Sequence, residues 1–278
     1  MKRRVFLRNT SLAAVGAMVL PSLSFKPVDM EMIGLQLWSV RDDMNNDPAG
    51  TLEKISEIGY NNLEPYGFDG KFFGIDAREF RKMAEDLGMR LTSTHTCITV
   101  EDADNFIEQA KISGLEYLVF PSPCGRPLDT EDHCKAFAEE MNKIGERCAH
   151  AGMKLGYHNH DMEFRTDGDK MLFDYLLEYT DPDLVFFQPD FYFFAKAEVD
   201  PLPYFEKHPS RFELWHIKDI AETKETTYLG NGSIDFPEIF KYADKAGLKY
   251  YYVEQGHYEN SPLEDIRHSF QYLQKNIL

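Results

Sequence analysis

Positive charge is scarce in this chain. Its 278 residues hold 30 Lys and Arg against 47 Asp and Glu, a formal net charge of −17. A surface so acidic repels nucleic acid and anionic membrane, and it argues against a highly phosphorylated substrate. Cysteine is also sparse. Cys97, Cys124, Cys134 and Cys148 form no CxxC pair and no regular framework, so they read as buried or incidental thiols, with disulfides left open. No Gly-rich dinucleotide fingerprint follows the first strand-like segment, and no linker or low-complexity segment divides the chain. What is abundant is apolar material: 43% of residues are hydrophobic, including 21 Phe and 15 Tyr, ample for a large core.

The first residues read as an address. Lys2, Arg3 and Arg4 open the chain, Leu12 to Leu20 is apolar, and Pro21-Ser-Leu-Ser-Phe25 breaks the run. That apolar run is too short to span a bilayer and has the layout of a secretory signal. Arg3-Arg4-Val-Phe-Leu7 resembles the twin-arginine export signal of bacteria. Residues 1–28 are therefore expected to be a signal segment, with the protein in the periplasm and without stable membrane insertion. That route carries folded proteins, which lets a metalloenzyme take up its metal before export.

From residue 29 onward the chain alternates short apolar runs with helical stretches, eight times over. Glycines such as Gly59, Gly88, Gly114, Gly152 and Gly247 follow the helices, where a left-handed residue ends a helix without side-chain clash. Strands alternating with helices imply βαβ crossovers and a parallel sheet, and eight units match a single α/β domain, a (β/α)8 barrel over residues 29–278. A helix is expected over each intervening stretch, including Phe236 to Lys245.

In such barrels chemistry gathers at the C-terminal strand ends. Here strand one offers Gln36 and Trp38, with Arg41 in the loop beyond. Strand two offers Glu64, strand three His95, and strand five His158 and His160. Strand six offers Gln188 and Asp190, strand seven His216 and Lys218, and strand eight Glu254. His158 and His160 are two apart and share a face of an extended strand. Strands five to eight thus end in His, Asp, His and Glu. Burying so many polar groups without compensation costs on the order of 1–3 kcal/mol each, and a divalent cation offsets that. The mixed nitrogen and oxygen set suits Mn, Mg, Co or Zn.

Asp190, the run Trp215-His216-Ile-Lys-Asp219, the run Gly230-Asn-Gly-Ser-Ile-Asp235 and Val253-Glu254 resemble the sugar phosphate isomerase/epimerase group of the xylose isomerase-like TIM barrels. The resemblance covers residues from about 32 to 278. It implies one divalent metal held by Glu, Asp, His and Glu from strands five to eight. Asp190, His216 and Glu254 fill the last three places, and His158 stands where the first glutamate is expected, with Glu163 as the alternative ligand. The family's shared chemistry is proton removal beside a carbonyl through an enediolate. The resemblance implies an isomerase or epimerase of a sugar or keto-sugar; the negative charge, the expected periplasmic address and the lack of a phosphate-binding loop point to an unphosphorylated one. His160 and Glu163 are expected as base and acid, Lys218 as a contact for substrate oxygens, and Glu254 as ligand and base together. Gln36, Trp38, Glu64, His95 and Gln188 are expected to bind substrate, with Trp38, Trp215 and Phe191-Tyr-Phe-Phe194 available as aromatic walls. A lyase or dehydratase of a 3-keto-glycoside or inosose uses the same site. A non-catalytic periplasmic sugar-binding barrel is the alternative of another class. Self-association into a homo-oligomer is left open.

Overall fold

The two-residue period of a strand sends alternate side chains to opposite faces. In the computed structural model, which describes residues 29–278, that period places one face of eight strands inside a barrel and the other under the helices. The expected signal segment, residues 1–28, lies outside the described residues. The strands are β1 (Ile33–Gln36), β2 (Asn62–Glu64), β3 (two pieces, Arg90–Leu91 and Ser93–His95), β4 (Tyr117–Phe120), β5 (Lys154–His158), β6 (Val185–Gln188), β7 (Leu214–Ile217) and β8 (Tyr250–Val253).

The ladders between these barrel strands are all parallel. One sheet runs β7-β8-β1-β2 into the first piece of β3, and the other runs from the second piece of β3 through β4 and β5 to β6. The β6–β7 seam is closed by the single bridge Asp190↔His216 and by the hydrogen bonds Phe187 N to Arg211 O (2.7 Å) and His216 N to Pro189 O (2.9 Å). The barrel is therefore complete, and its weakest seam lies beside two of the residues singled out above.

The lower interior is apolar. Tyr117, Val119, Phe186, Leu214 and Tyr252 form a buried cluster of their own. Gly34 and Gly156 make room for it: a Cβ on either would stand 2.3 Å from the Tyr252 or Phe186 ring, respectively. Outward residues such as Leu35, Leu63, Leu118, Tyr157, Phe187, Trp215 and Tyr251 join the larger core beneath the helices. The longest helix, Glu131–His150, starts where the Thr130 side chain accepts from His133 N, and the last, Pro262–Asn276, where Ser261 does the same for Glu264 N.

Several features depart from the sequence reading. The stretch Phe236 to Lys245 is two short helices, Phe236–Phe240 and Ala243–Ala246. The aromatic run after Asp190 begins a helix, Phe191–Lys196, whose first turn is capped by Asp190 itself. Its rings Phe191 and Phe194 are buried core, as is Trp215, so these three form no open wall. Cys97 and Cys124 are joined in a disulfide, Cα–Cα 5.7 Å, which corrects their reading as incidental thiols; Cys134 and Cys148 are buried and free. The paired cysteines are 27 residues apart in sequence and meet because they follow the neighbouring strands β3 and β4. Among the described residues, no helix is long and apolar enough to cross a membrane.

Candidate active site and metal centre

Two residues beyond the apolar cluster, the same strands turn polar. His158 on β5, Asp190 after β6, His216 on β7 and Glu254 after β8 all point inward and are buried. One donor atom from each lies within 4.8 Å of all the others. His216 Nδ1 is 2.7 Å from Glu254 Oε2, and His158 Nε2 is 3.8 Å from Asp190 Oδ2. Asp190 is held from two sides: its N–H donates to Asn159 Oδ1 at 3.2 Å, and its Oδ1 accepts from Tyr192 N at 2.9 Å. That leaves Asp190 Oδ2 buried with no hydrogen bond and only the Lys218 ammonium facing it at 3.4 Å, and His158 Nδ1 buried without a partner. Orphaned buried acceptors are costly in a folded protein. Here they belong to a group with two imidazoles and two carboxylates, a donor set that fits a divalent transition ion or Mg²⁺.

The electrostatics point the same way. Three buried carboxylates, Glu64, Asp190 and Glu254, face two buried cations. Burial opposes the charged form of His216, but Glu64 and Glu254, one on each ring nitrogen, overcome it and hold its pKa up at about 9. Lys218 Nζ lies 3.1 Å from Glu254 Oε1 and 3.4 Å from Asp190 Oδ2. Burial works against its ammonium too, yet Asp190 and Glu254 raise its pKa above the usual lysine value. Burial raises Asp190 to about 6 against the pull of Lys218. Burial alone would raise Glu64, but His95 and His216 bring it down to about 2. Glu254 is held well below the ordinary carboxylate range against burial, first by Lys218 and then by His216. A divalent ion that displaced the His216 Nδ1 proton would, with Lys218, balance all three carboxylates.

The remaining sequence candidates fall into three places. Glu64 is the keystone beneath the donor group. Its carboxylate accepts from Gln36 Nε2 (2.9 Å), Gln188 Nε2 (2.9 Å) and His216 Nε2 (2.5 Å). Gln188 Oε1 in turn meets His95 Nε2 at 2.8 Å, and Gln36 Oε1 accepts from Trp38 N at 3.1 Å. Glu64, Gln36 and Gln188, expected to bind substrate, are thus engaged with one another and with His216. By bonding Nε2, Glu64 orients the His216 ring so that Nδ1 faces the donor group.

His160 sits beside the group. Its ring packs on Phe193 (centroids 4.5 Å apart) and against His158 (5.1 Å). Its Nδ1 is buried without a partner, and burial, followed by the charge of Lys218, pulls its pKa down to about 4. Trp38 stands at the rim, with Arg41 beside it.

Glu163 goes elsewhere. It is fully buried, with one oxygen accepting from Tyr157 OH and the other from His160 N (2.9 Å). Tyr157 is an outward residue of β5, so the Glu163 carboxylate lies behind the strand, away from the donor group. The structure does not bring Glu163 to the place of acid or metal ligand; of the two alternatives, His158 is the residue brought into the donor group. The short turn Met162–Phe164 is what redirects it.

A family model, the xylose isomerase-like TIM barrel, matches residues 52–276. The chain belongs to that family. Within it, inosose dehydratase of Clostridium tetani is 29% identical over 136 residues, 41% of this chain and 44% of that protein. Inosose dehydratase of Geobacillus thermodenitrificans is 26% identical over 168 residues, 54% of each. The chain spans about half the length of these curated relatives in the matched stretch. A solved sugar phosphate isomerase/epimerase from Parabacteroides distasonis is 29% identical with a TM-score of 0.78, over 94% of this chain and 98% of that one. A solved L-ribulose 3-epimerase, 16% identical with a TM-score of 0.68, shares the fold.

Some residues that shape this xylose isomerase-like site escaped the sequence reading. Asn159 looks like a spacer between two inward histidines, yet it fixes Asp190. Asp219 accepts from the N–H groups of Ile220, Gly230, Gly232 and Ile234, at 2.9 to 3.1 Å. It thereby folds the Gly230–Asp235 loop, and a Cβ at Gly232 would come within 2.1 Å of its Oδ1. The spacing of Asp219 from two glycines was the available signal, but it did not say which backbone groups would meet.

Proposed function

We propose that this protein is a divalent-metal-dependent enzyme that removes a proton beside the carbonyl of an unphosphorylated sugar or keto-sugar, as an isomerase or epimerase. The observation that carries this reading is the convergence of His158, Asp190, His216 and Glu254 on one point, with Lys218 and His160 at its edge. A divalent ion bound by those four residues supplies a Lewis acid for the carbonyl and for negative charge developing on its oxygen.

The chain's own groups supply the proton transfers. His160 is neutral at pH 7 because burial depresses its pKa, and its free Nδ1 can accept the carbon-bound proton. Lys218 remains an ammonium and donates to an enediolate oxygen. Its Nζ and the His160 ring both border Phe193, at 5.0 and 4.5 Å from the ring centre, so base and donor share one wall. Epimerisation requires a second group on the opposite face; Glu254, ionised and facing the same point, would act there as the base that takes a carbon-bound proton, with the Lys218 ammonium returning a proton from its own wall. Exclusion of water is helped by the near-complete burial of the group.

A specific observation favours a second reading, a dehydratase or lyase. His158 takes the place of a carboxylate, so only Glu254 and Asp190 remain as acids in the donor group, and Asp190 is already pinned by Tyr192 N. An elimination needs one base and one donor to the leaving oxygen, which His160 and Lys218 provide. The inosose dehydratase relatives support it. Solvent deuterium exchange followed by product NMR decides between them. A retained skeleton with an inverted or moved hydroxyl supports isomerase or epimerase; loss of water or aglycone supports lyase; no metal-dependent exchange with any sugar of a free and 3-keto panel overturns both.

The same proposal places the mature protein in the periplasm. The disulfide between Cys97 and Cys124 supports it, because such bonds persist in oxidising compartments.

A further inference from the structure

Large apolar side chains rarely stay in water without a reason when a core is at hand. Among the described residues three are more than a third exposed: Met30 and Leu278, near the ends of the described chain, and Trp38, at 44%. Trp38 belongs to the barrel mouth. Its N–H is held by Gln36, which is bonded to Glu64 beneath the donor group. The next residue, Ser39, accepts from Gln255 N (3.0 Å) and Tyr258 OH (3.0 Å), which ties this loop to the one carrying Glu254. The indole is also fixed in attitude. Tyr66 meets it edge-on with centroids 5.0 Å apart, and the Arg41 guanidinium lies 5.0 Å from its ring centre. Arg41 is itself anchored by Trp38 O (3.1 Å) and Tyr258 OH (2.7 Å).

We propose that Trp38 is a stacking platform for a second pyranose ring, so that the substrate is a disaccharide or other glycoside and not a free monosaccharide. The inference deepens the proposed function and rests on its sugar reading. A sugar ring presents C–H groups on its faces and hydroxyls on its rim. The exposed part of the indole suits the faces, and Arg41, which lies over the ring, suits the hydroxyls. A net charge of −17 repels an anionic aglycone. The depth of the site bears on the size. The donor group is buried while Trp38 is 44% exposed, so the indole stands outward of His216 and Glu254, toward the solvent. A ring linked outward from one bound at the donor group covers the indole, and the held indole loses little conformational freedom in doing so.

The chain has two tryptophans, and Trp215 is fully buried against Phe191 and Phe205. Emission that responds to a sugar therefore reports Trp38. The full-length protein, loaded with Mg²⁺ or Zn²⁺, is titrated with cellobiose, maltose and lactulose and with glucose, galactose and fructose. Expected is a blue shift and reduced acrylamide quenching with at least one disaccharide and with none of the monosaccharides. Trp38→Ala then binds that disaccharide about tenfold more weakly by calorimetry, the size of a lost aromatic contact, while Trp38→Phe recovers part of the loss. Emission that ignores every disaccharide, or a Trp38→Ala protein with unchanged preference, overturns the inference. Metal affinity measured in the same samples separates the two ideas. Intact metal binding with a silent Trp38 overturns the platform alone, whereas a responding Trp38 without metal binding overturns the metalloenzyme reading alone.

Discussion

Two residues of strand separate two different interiors. In the lower half of the barrel stand Gly34, Gly156, Phe186, Leu214 and Tyr252; one pleat further along the same strands stand Gln36, His158, Gln188, His216 and Glu254. The lower set gains free energy simply by leaving water, about 1.5–3 kcal/mol for each large side chain. The upper set gains nothing that way and is held by mutual satisfaction: Glu64 alone binds Gln36, Gln188 and His216. In the polar layer Asp190 Oδ2, His158 Nδ1 and His160 Nδ1 are buried without a hydrogen bond. Stability and function are thus stacked along one axis, and a substitution can address either.

The largest expected effect is on the apolar side. Tyr252→Ala removes a fully buried ring from the lower cluster and should cost about 3–5 kcal/mol in urea unfolding. The metal affinity of the fraction that remains folded should be unchanged. A parallel loss of metal affinity would show that the two interiors are one unit.

Next comes Lys218→Met, which leaves Asp190 and Glu254 without their ammonium. The metal-free protein should lose about 3 kcal/mol or more, the cost of stranding a buried charge. Added metal should restore much of that and bind more tightly than in the parent, because a competing cation is gone. Equal destabilisation with and without metal would contradict the placement of Lys218 at the donor group.

The smallest effect is a pH dependence. His216 in the metal-free protein titrates at about 9, above the ordinary histidine value of 6.5. A raised folded-state value stabilises below the unfolded value, so this contribution is complete below pH 6.5 and fades as pH rises through about 9. Metal uptake has the opposite slope, since the ion must displace the Nδ1 proton. Affinity should rise about tenfold per unit between pH 7 and 9 and then level off. Glu64→Gln should weaken the metal about 10- to 100-fold, as loss of a carboxylate behind a histidine ligand does, and move the plateau to lower pH. Calorimetry across this range checks both.

The sequence made the vertical division legible, because period two and the strand ends say which residues face inward and how high. It could not say which inward residues satisfy one another. Gln36, Glu64 and Gln188 read as substrate contacts because each is polar and inward; their pairing depends on barrel closure, which joins residues up to 124 apart. Glu163 lies away from the donor group for another reason. Its position next to a histidine pair suggests shared chemistry, but a single short turn reverses its direction and sends it to Tyr157. The disulfide was hidden by distance along the chain. The helix Phe191–Lys196 was masked by aromatic residues that suit a strand as well as a helix start capped by Asp190.

The upper interior is proposed to be a metal site built on four strands. The most direct test is metal content and calorimetric affinity of the purified protein beside Asp190→Ala, with folding checked by circular dichroism. Expected are one divalent ion per parent chain and at least a ~100-fold loss of affinity in the variant, with the fold intact. A parent that binds no divalent ion, or a variant that binds as tightly as the parent, would contradict it.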